Sequence, residues 1–595
     1  MTSPTTRTRL ARTGLGLALS LAASGCLDLP REAEPECHTT DECDGERGEV
    51  CQEGVCWGNP PDGMFAAVVA PPSDRKDLVP KEIMQLDMSQ AGWIAGLQLD
   101  KPVTLAGQIE TDCGGVSCGR GLEATLTFTR ASQFPGGPGF KTVVTTQTGG
   151  SDGASYEVRL PRTGPTDPPY LVTVMPAGRG EEPGTSLSAA RLVPPARLEL
   201  SVTGDTTRMI TLGGDTVPRV DGTLLASGGG GLAHYRVVAL GRWEAGSPAT
   251  EVSTVDYTDA DGQFQLLLAN DLVGTVEIVA RPYMSVAPTL RLPAVPSDRG
   301  SNPVLIQPAD IGAPVRSRFE IKGKDGAGEI APVRGARVKL TARVALEGDT
   351  GPVATHVVEG TTNDAGVVEL EMLDGATYRD QYLLEVVPPA SANVGVVFDA
   401  PTPVAAVQAP LILPARVPIR GTVRDATGAP LKDVAVTARP SLRFVWNLET
   451  RLQAFLSAIP PATTVTPASG DFVLWVDPMI GERWGHYDLV FEPPMAGKYP
   501  LRAPTWTQAE IPIPGMEGPG PQNVQLPDAA FVHGEVTDPS GVPVEAAEVK
   551  VFRVDPNRTL CTMVEFAPLS CPIAAGLMGR GATDKAGAVR ISLPR

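Results

Sequence analysis

Residues 419–438 read IRGTVRDATGAPLKDVAVTA, and residues 532–551 read VHGEVTDPSGVPVEAAEVKV. Each reads as a strand, a turn and a strand. Ile419, Gly421 and Val423 alternate with polar neighbours, and Val434, Val436 and Ala438 resume the alternation, the two-residue period of half-buried strands. Between them Asp425 can bond its own backbone, Gly428 is free to take positive φ, and Pro430 has its φ pre-set. A chain that repeats such a phrase is a repeat protein, and the period bounds what it can fold into.

Four signals recur in a fixed order. A strand near G-x-V stands at 105–109, 220–224, 319–323, 419–423 and 532–536. An alternating strand follows at 124–128, 235–239, 336–340, 434–438 and 549–552. Then comes a polar turn with Gly and another strand: TDADGQF from Thr258, TNDAGVV from Thr362, SGDF from Ser469 and TDKAGAV from Thr583. Last comes Tyr or a substitute, alternating apolar residues and Pro, at 170–176, 276–282, 382–388 and 487–493. The period is roughly 100 to 115 residues, domain-sized and unlike the 20–50 residues of a solenoid. Each unit has room for about seven short strands, the size of a β-sandwich. The 64 Gly and 58 Pro fit many short strands joined by tight turns. In copy three Ile321 is aligned with Gly421, and in copy one a loop from Cys113 to Cys118 replaces the Asp-Gly-Pro turn.

The string G-x-V-x-D, G-x-P-(V/L)-x-x-A-x-V, T-x-x-x-G-x-(F/V) and Y-x-L-x-V-x-P resembles the carboxypeptidase regulatory-like domain, a transthyretin-like sandwich, and is similar to bacterial Ig-like surface repeats. The resemblance is good for copies four and five, fair for two and three and weak for one. It implies non-catalytic binding, spacing or stiffening units. The expected fold is all-β: about five Ig-like or prealbumin-like sandwiches in tandem after a signal peptide and a small disulfide-rich segment. The expected divisions are 1–25 signal peptide, 26–62 Cys-rich tether, 63–100 half repeat, 101–215, 216–310, 311–413 and 414–526 sandwiches one to four, and 527–595 a short fifth sandwich.

Both ends of this array are irregular. Copy five reaches Arg595 right after its third signal, without a Tyr-to-Pro strand. Conversely, residues 64–72 (MFAAVVAPP) read as a fourth-signal strand with no unit before it, and Leu97 to Leu99 read as a last strand. The plainer expectation is a fifth sandwich that is simply smaller. The alternative is that its open edges accept a strand from the half unit of a neighbour or from a partner.

Arg7, Arg9 and Arg12 precede a short apolar run at 15–22, the layout of an export signal. The run ends in LAASGC, which resembles the bacterial lipobox, although Ala23 stands where Leu is usual. The resemblance implies that Cys26 is the lipidated first residue of the mature chain, anchored in the cell envelope at the outer membrane. The membrane is then a partner through that lipid alone. Nine cysteines less Cys26 leave eight, and an oxidising compartment implies disulfides among Cys37, Cys43, Cys51, Cys56, Cys113, Cys118, Cys561 and Cys571. The pairing within the first four is open. Their spacing fits zinc badly, and no metal or cofactor is expected. The segment 37–57 resembles Cys-rich knots that follow the lipobox in lipoproteins of predatory and gliding proteobacteria.

A net charge of −18 with no basic, aromatic-laced cluster excludes nucleic acid. No catalytic residue is expected. GGSDG at 149–153 matches G-x-S-x-G, but two strands flank it where a nucleophile elbow needs a strand and a helix. The five histidines (His38, His234, His356, His486 and His533) are isolated, and Asp256, Asp259 and Asp261 lack the frame of a calcium loop. An insertion in copy four carries Phe444, Trp446, Leu448, Leu452, Phe455 and Leu456, spaced for a short helix or two strands and expected to pack on its own sandwich. The expected function is a non-catalytic envelope stalk, structural or adhesive. A surface module for carbohydrate or peptide is the alternative, with an unidentified protein or glycan partner.

Overall fold

The computed structural model describes residues 37–594, apart from 44–49, 53–54, 58–63, 85, 87–92, 95, 113–116, 135–136, 149–153, 180–187, 214–216, 227, 246, 248, 284, 298–303, 307–312, 325–327, 346–352, 375–380, 442–443, 446, 458, 495–502 and 555–574. Cys26, Cys113, Cys561, Cys571 and the GGSDG loop lie outside the described residues. The chain is all-β, and each of the four signals becomes a strand with a fixed place.

In unit four the first-signal strand Val417–Arg424 pairs antiparallel with the third-signal strand Asp471–Val476 on one side and parallel with Val524–Gln525 on the other. The facing sheet pairs the second-signal strand Ala435–Pro440 with the fourth-signal strand His486–Glu492. Units one, two and three repeat this plan through Val103–Asp112, Arg219–Leu224 and Pro314–Lys324.

Two devices set the register. The first is a buried threonine. Thr146, Thr258, Thr362, Thr466 and Thr583 are all 6% exposed or less. Each hydroxyl accepts the N–H that opens its second-signal strand (Ala124, Tyr235, Ala336, Val434 and Ala547) at 2.8 to 3.0 Å. Each donates to a carbonyl of the preceding turn, on Leu122, Leu232, Val333, Leu431 and Val544. One side chain thus satisfies two buried backbone groups and ties the two sheets together.

The second device is a small residue opposite a large one. Gly107 faces Tyr156, Gly222 faces Phe264 and Gly421 faces Phe472. A Cβ on Gly222 would meet the Phe264 ring at 2.2 Å, and one on Gly421 would meet the Gln522 carbonyl at 1.9 Å. Unit three inverts the pair, with Phe319 facing Val368. The counterpart of Gly421 is therefore Phe319, and Ile321 corresponds to Val423: Ile321 and Val423 each donate to the glycine carbonyl of the third-signal turn, Gly366 and Gly470. The sequence alignment slipped by two residues, a slip that keeps the same face in the core and so leaves no trace in the hydrophobic pattern.

Unit five obeys the same plan with material from both ends of the array. Ala529–Glu535 and Glu548–Val554 are its first- and second-signal strands. The fourth-signal strand is Met64–Ala70, paired antiparallel with Glu548–Val554 from Met64↔Val554 to Ala70↔Glu548. Phe65 occupies the place that Tyr170, Val276, Tyr382 and Tyr487 hold elsewhere. Trp93–Ile94 supplies the parallel last strand beside His533 and Gly534, and Gln98 bridges Thr537. Leu97 and Leu99 are 1% and 0% exposed in the same core as Val549, Val551 and Ile591. Residues 63–100 are thus no separate half unit, and the fifth sandwich is not a reduced one. The neighbouring hairpin Val50–Gln52 and Val55–Trp57 extends its first sheet through Trp57↔Phe531.

Consecutive units touch. Arg179 of unit one donates to Glu251 of unit two at 2.7 Å. The strand Thr289–Pro296 of unit two pairs with Val353–Thr361 of unit three, so one nine-stranded sheet and one core run through both, and two expected beads are fused. Asp477 of unit four accepts the Val396 N–H of unit three at 3.0 Å. Glu492 of unit four lies 3.5 Å from Arg580 of unit five. Unit five meets unit one through Phe134 and Phe552, 5.5 Å between ring centroids. With residues 64–99 built into unit five, the five sandwiches form a closed circuit.

Replacing Thr466 by Val leaves the Val434 N–H and Leu431 carbonyl unpaired, and should destabilise unit four by about 2 kcal/mol. Hydrogen exchange of the full chain should then show faster exchange within 417–526 and unchanged protection within 103–213. Phe65→Ala should cost unit five about 3 to 4 kcal/mol. The measurable outcome is protease sensitivity in residues 529–594, which share no local sequence with the mutated site.

Candidate functional site: a charged groove where units two, three and four meet

The fused sheet turns one face outward, and the insertion of unit four lies against it. Residues 450–457 of that insertion form the helix Thr450–Ser457, the helical alternative of the two spacings. Leu448, Leu452, Phe455 and Leu456 are buried in the core of unit four, as expected. Phe455 also packs on Phe398 of unit three, with centroids 4.9 Å apart. A groove of about 360 Å³ remains between helix and sheet. Its floor carries Arg337, Lys339 and Thr341 from one strand, Thr355, Val357 and Glu359 from the next, with Glu385 and Arg291 at its sides.

Alternation puts these residues here. Val338, Leu340 and Ala342 point into the core, so Arg337, Lys339 and Thr341 take the other face. That face is unusual because polar groups on it are buried: Glu385 is 6%, Thr341 7% and Thr355 9% exposed. Glu385 is paired with two cations, Lys339 Nζ at 3.0 Å and Arg451 at 2.9 Å. Arg451 reaches on to Asp399, and Arg291 makes two 2.6 Å bonds to Glu277. Arg337 is exposed and carries no ion pair among the described residues. The network binds helix 450–457 to unit three. It leaves a polar slot with one uncommitted guanidinium, chemistry suited to a carboxylate or a hydroxyl-rich ligand.

Beside it lies the hinge of units three and four. Asp477 accepts Val396 N–H and sits 3.6 Å from Arg416 Nε, while its carbonyl accepts the Tyr487 hydroxyl at 2.9 Å. Val394 belongs to the core of unit three and Val396 to that of unit four, so this loop pins the two together. Burial raises the Asp477 carboxyl above its ordinary value, against the opposing pull of Arg416 and the Val396 N–H.

The residues singled out by sequence are scattered. Cys37 and Cys51 form a disulfide, and Cys43 is also disulfide-bonded. The three sulfurs lie within 4.8 Å of one another, so they form a covalent knot in place of a thiolate set. Cys56 lies opposite Cys51 in the hairpin register. Cys118 lies in the strand Ser117–Arg120. Asp259 is spent in its own turn, accepting N–H bonds from Asp261 and Gln263, as Asn363, Asp425, Asp538 and Asp584 do in theirs. His356 is buried with Nε2 2.9 Å from the Glu371 carbonyl, His486 stacks on Phe444, and His38 and His234 are exposed. His533 lies in the strand Ala529–Glu535. The groove itself escaped the sequence reading. Its residues come from three units and carry no motif; the one available signal was Arg, Lys and Thr on the outward face of 337–341.

The chain is a tandem β-sandwich repeat protein. No protein-family model matches it, and no curated protein does. Solved structures match in part. A streptococcal ancillary pilin is 12% identical over 53% of this chain and 98% of its own, with a TM-score of 0.17. The Bacillus anthracis TIE protein is 10% identical over 70% of this chain and 72% of its own, at 0.14. A minor pilin of Streptococcus agalactiae is 13% identical over 36% of this chain and 95% of its own, at 0.20. Scores this low carry no argument about arrangement or activity.

Because folded Asp477 keeps its proton to higher pH than the unfolded chain, its contribution is full below the unfolded value of about 3.9 and is lost as pH rises through the folded value. Asp477→Asn keeps an acceptor for Val396 and abolishes the titration. The melting-point advantage of wild type over the variant should therefore be larger at about pH 4 than at about pH 8; a pH-independent difference refutes the assignment.

Proposed function

We propose that this is a non-catalytic protein of the bacterial cell envelope, structural or adhesive, held by a lipid on Cys26 and built from carboxypeptidase regulatory-like sandwiches. The observation that carries the reading is the closed circuit. Three sets of buried polar groups hold its strands and units together: the five threonines, the Glu385 pair network and Asp477. The Cys-rich hairpin next to the proposed anchor adds to the sheet of unit five, so the tether would load a folded sandwich directly. A circuit of this kind displays loops close to the membrane and has less reach than an open string of five.

A second reading, a carbohydrate- or peptide-binding surface module, is favoured by one observation, the polar groove lined by Arg337. The two readings are compatible, because an adhesive protein needs a contact surface.

The anchor is tested by fatty-acid labelling of cells expressing wild type or Cys26→Ser. Wild type should carry label and sediment with membranes. Cys26→Ser should lose the label and appear in the soluble fraction. Label retained by the variant overturns the anchor.

A further inference from the structure

The same strand that closes the circuit within one chain fits a second copy, and we infer that residues 64–99 are an exchangeable donor segment. Its partner is unit five of another molecule of this protein. Three features point there. First, unit five depends on the segment and has no covalent neighbour in it. Phe65, Ala67, Val69, Leu78, Leu86, Leu97 and Leu99 make up nearly half of its buried core residues. Their contacts join groups as far apart in sequence as Gln98 and Asp538, 440 residues. Without the segment, Glu548–Val554 presents an unpaired edge and Ala529–Glu535 loses its partners at His533 and Gly534, over an opened core, the combination that accepts a strand from outside.

Second, the segment is held on its other side by unit one. Glu82 accepts Ser132 Oγ at 2.9 Å and Gln133 N–H at 2.7 Å, and Arg159 donates to the Lys76 carbonyl at 3.2 Å. When unit five leaves, these local contacts keep the donor displayed on unit one. Third, the seam between units four and five is light. Among the described residues it shows one ion pair, Arg580–Glu492, with both side chains about 30% exposed, and a partly exposed pair of this kind contributes about 0 to 1 kcal/mol. Unit five can therefore swing away with little loss on that side, with Pro527 and Asp528 as the connection.

Exchange leaves every contact of the donor intact and changes only the molecule that supplies it. Closure within the chain wins when dilute, because the circuit fixes a high local concentration of donor, and exchange rises with chain concentration. Reciprocal exchange gives a closed dimer, and one-way exchange gives a head-to-tail chain.

Val68 and Lys550 are directly opposite on the partly exposed face of the ladder. Two full-length single variants, Val68→Cys and Lys550→Cys, are mixed and oxidised after brief exposure to sub-denaturing urea. Neither can make this crosslink within itself, so a covalent heterodimer reports exchange. The expected heterodimer yield is about tenfold higher at about 100 µM than at about 1 µM chain. It should also be about tenfold above that from Val68→Cys mixed with Lys432→Cys, which lies on unit four. The double variant V68C/K550C should crosslink within one chain and proves that the register folds. Crosslinking of the double variant with no heterodimer from the mixture at either concentration overturns exchange, as does equal yield with Lys432→Cys. Failure of the double variant to crosslink overturns the register itself.

Discussion

The ladder between Met64–Ala70 and Glu548–Val554 is the constraint on which the architecture rests. Seven pairs of antiparallel residues, with Phe65, Ala67 and Val69 turned into the core, join parts of the chain that lie hundreds of residues apart. The entropic cost of closing so long a loop grows only slowly with its length, and the four intervening sandwiches are themselves folded, so the flexible part of the loop is short. One sandwich core is enough to offset that cost. The consequence is that unit five is complete only once a donor strand 64–70 is in place on Glu548–Val554, and within one chain every other seam is carried around with that closure.

Within each sandwich the work is divided between apolar pairs and one hydroxyl. Apolar pairing across the sheets gives bulk stability, but it tolerates a slip of two residues. The buried threonine does not tolerate it, because its two hydrogen bonds go to backbone groups at fixed places. The glycine of the third-signal turn adds a further stop: Gly366, Gly470 and Gly587 have φ of +72°, +74° and +73°, and a Cβ there would strike the carbonyl of Ile321, Val423 or Val536 at 2.5, 2.5 and 2.6 Å. Polar satisfaction thus supplies uniqueness where burial supplies stability.

The seams between units follow the same logic at larger scale. Where backbone pairs with backbone, as between Thr289–Pro296 and Val353–Thr361, two sandwiches become one body. Where side chains meet, as at Arg451 with Glu385 and Asp399, the buried Glu385 takes partners from both units, Lys339 and Arg451, and so fixes their relation. The groove over the fused sheet exists because of both kinds of seam. Its floor is backbone-joined and its wall is charge-joined, which leaves a preformed polar slot and no need for motion to make it.

The repeat was legible in the sequence, and so was the missing fourth strand of copy five, because alternation and turn chemistry are local. Thr258, Thr362 and Thr583 head their turn phrases; Thr466 stands three residues before SGDF and Thr146 lies in a copy without such a phrase, so the pattern marks neither. The two-residue slip at Ile321 was invisible for a physical reason, the period of a strand being two. Residues 64–72 and 97–99 could be recognised as strands without a unit, but the sequence carries no address for where such a strand goes. That address is a vacant edge and a half-filled core created only when 529–594 fold, and whether the donor comes from the same chain depends on how four intervening sandwiches turn. Local periodicity, then, determined the kind of unit, its number and its gaps. Tertiary structure alone decided that the gaps fill one another, because that choice depends on the distance between ends, a quantity no short stretch of residues encodes.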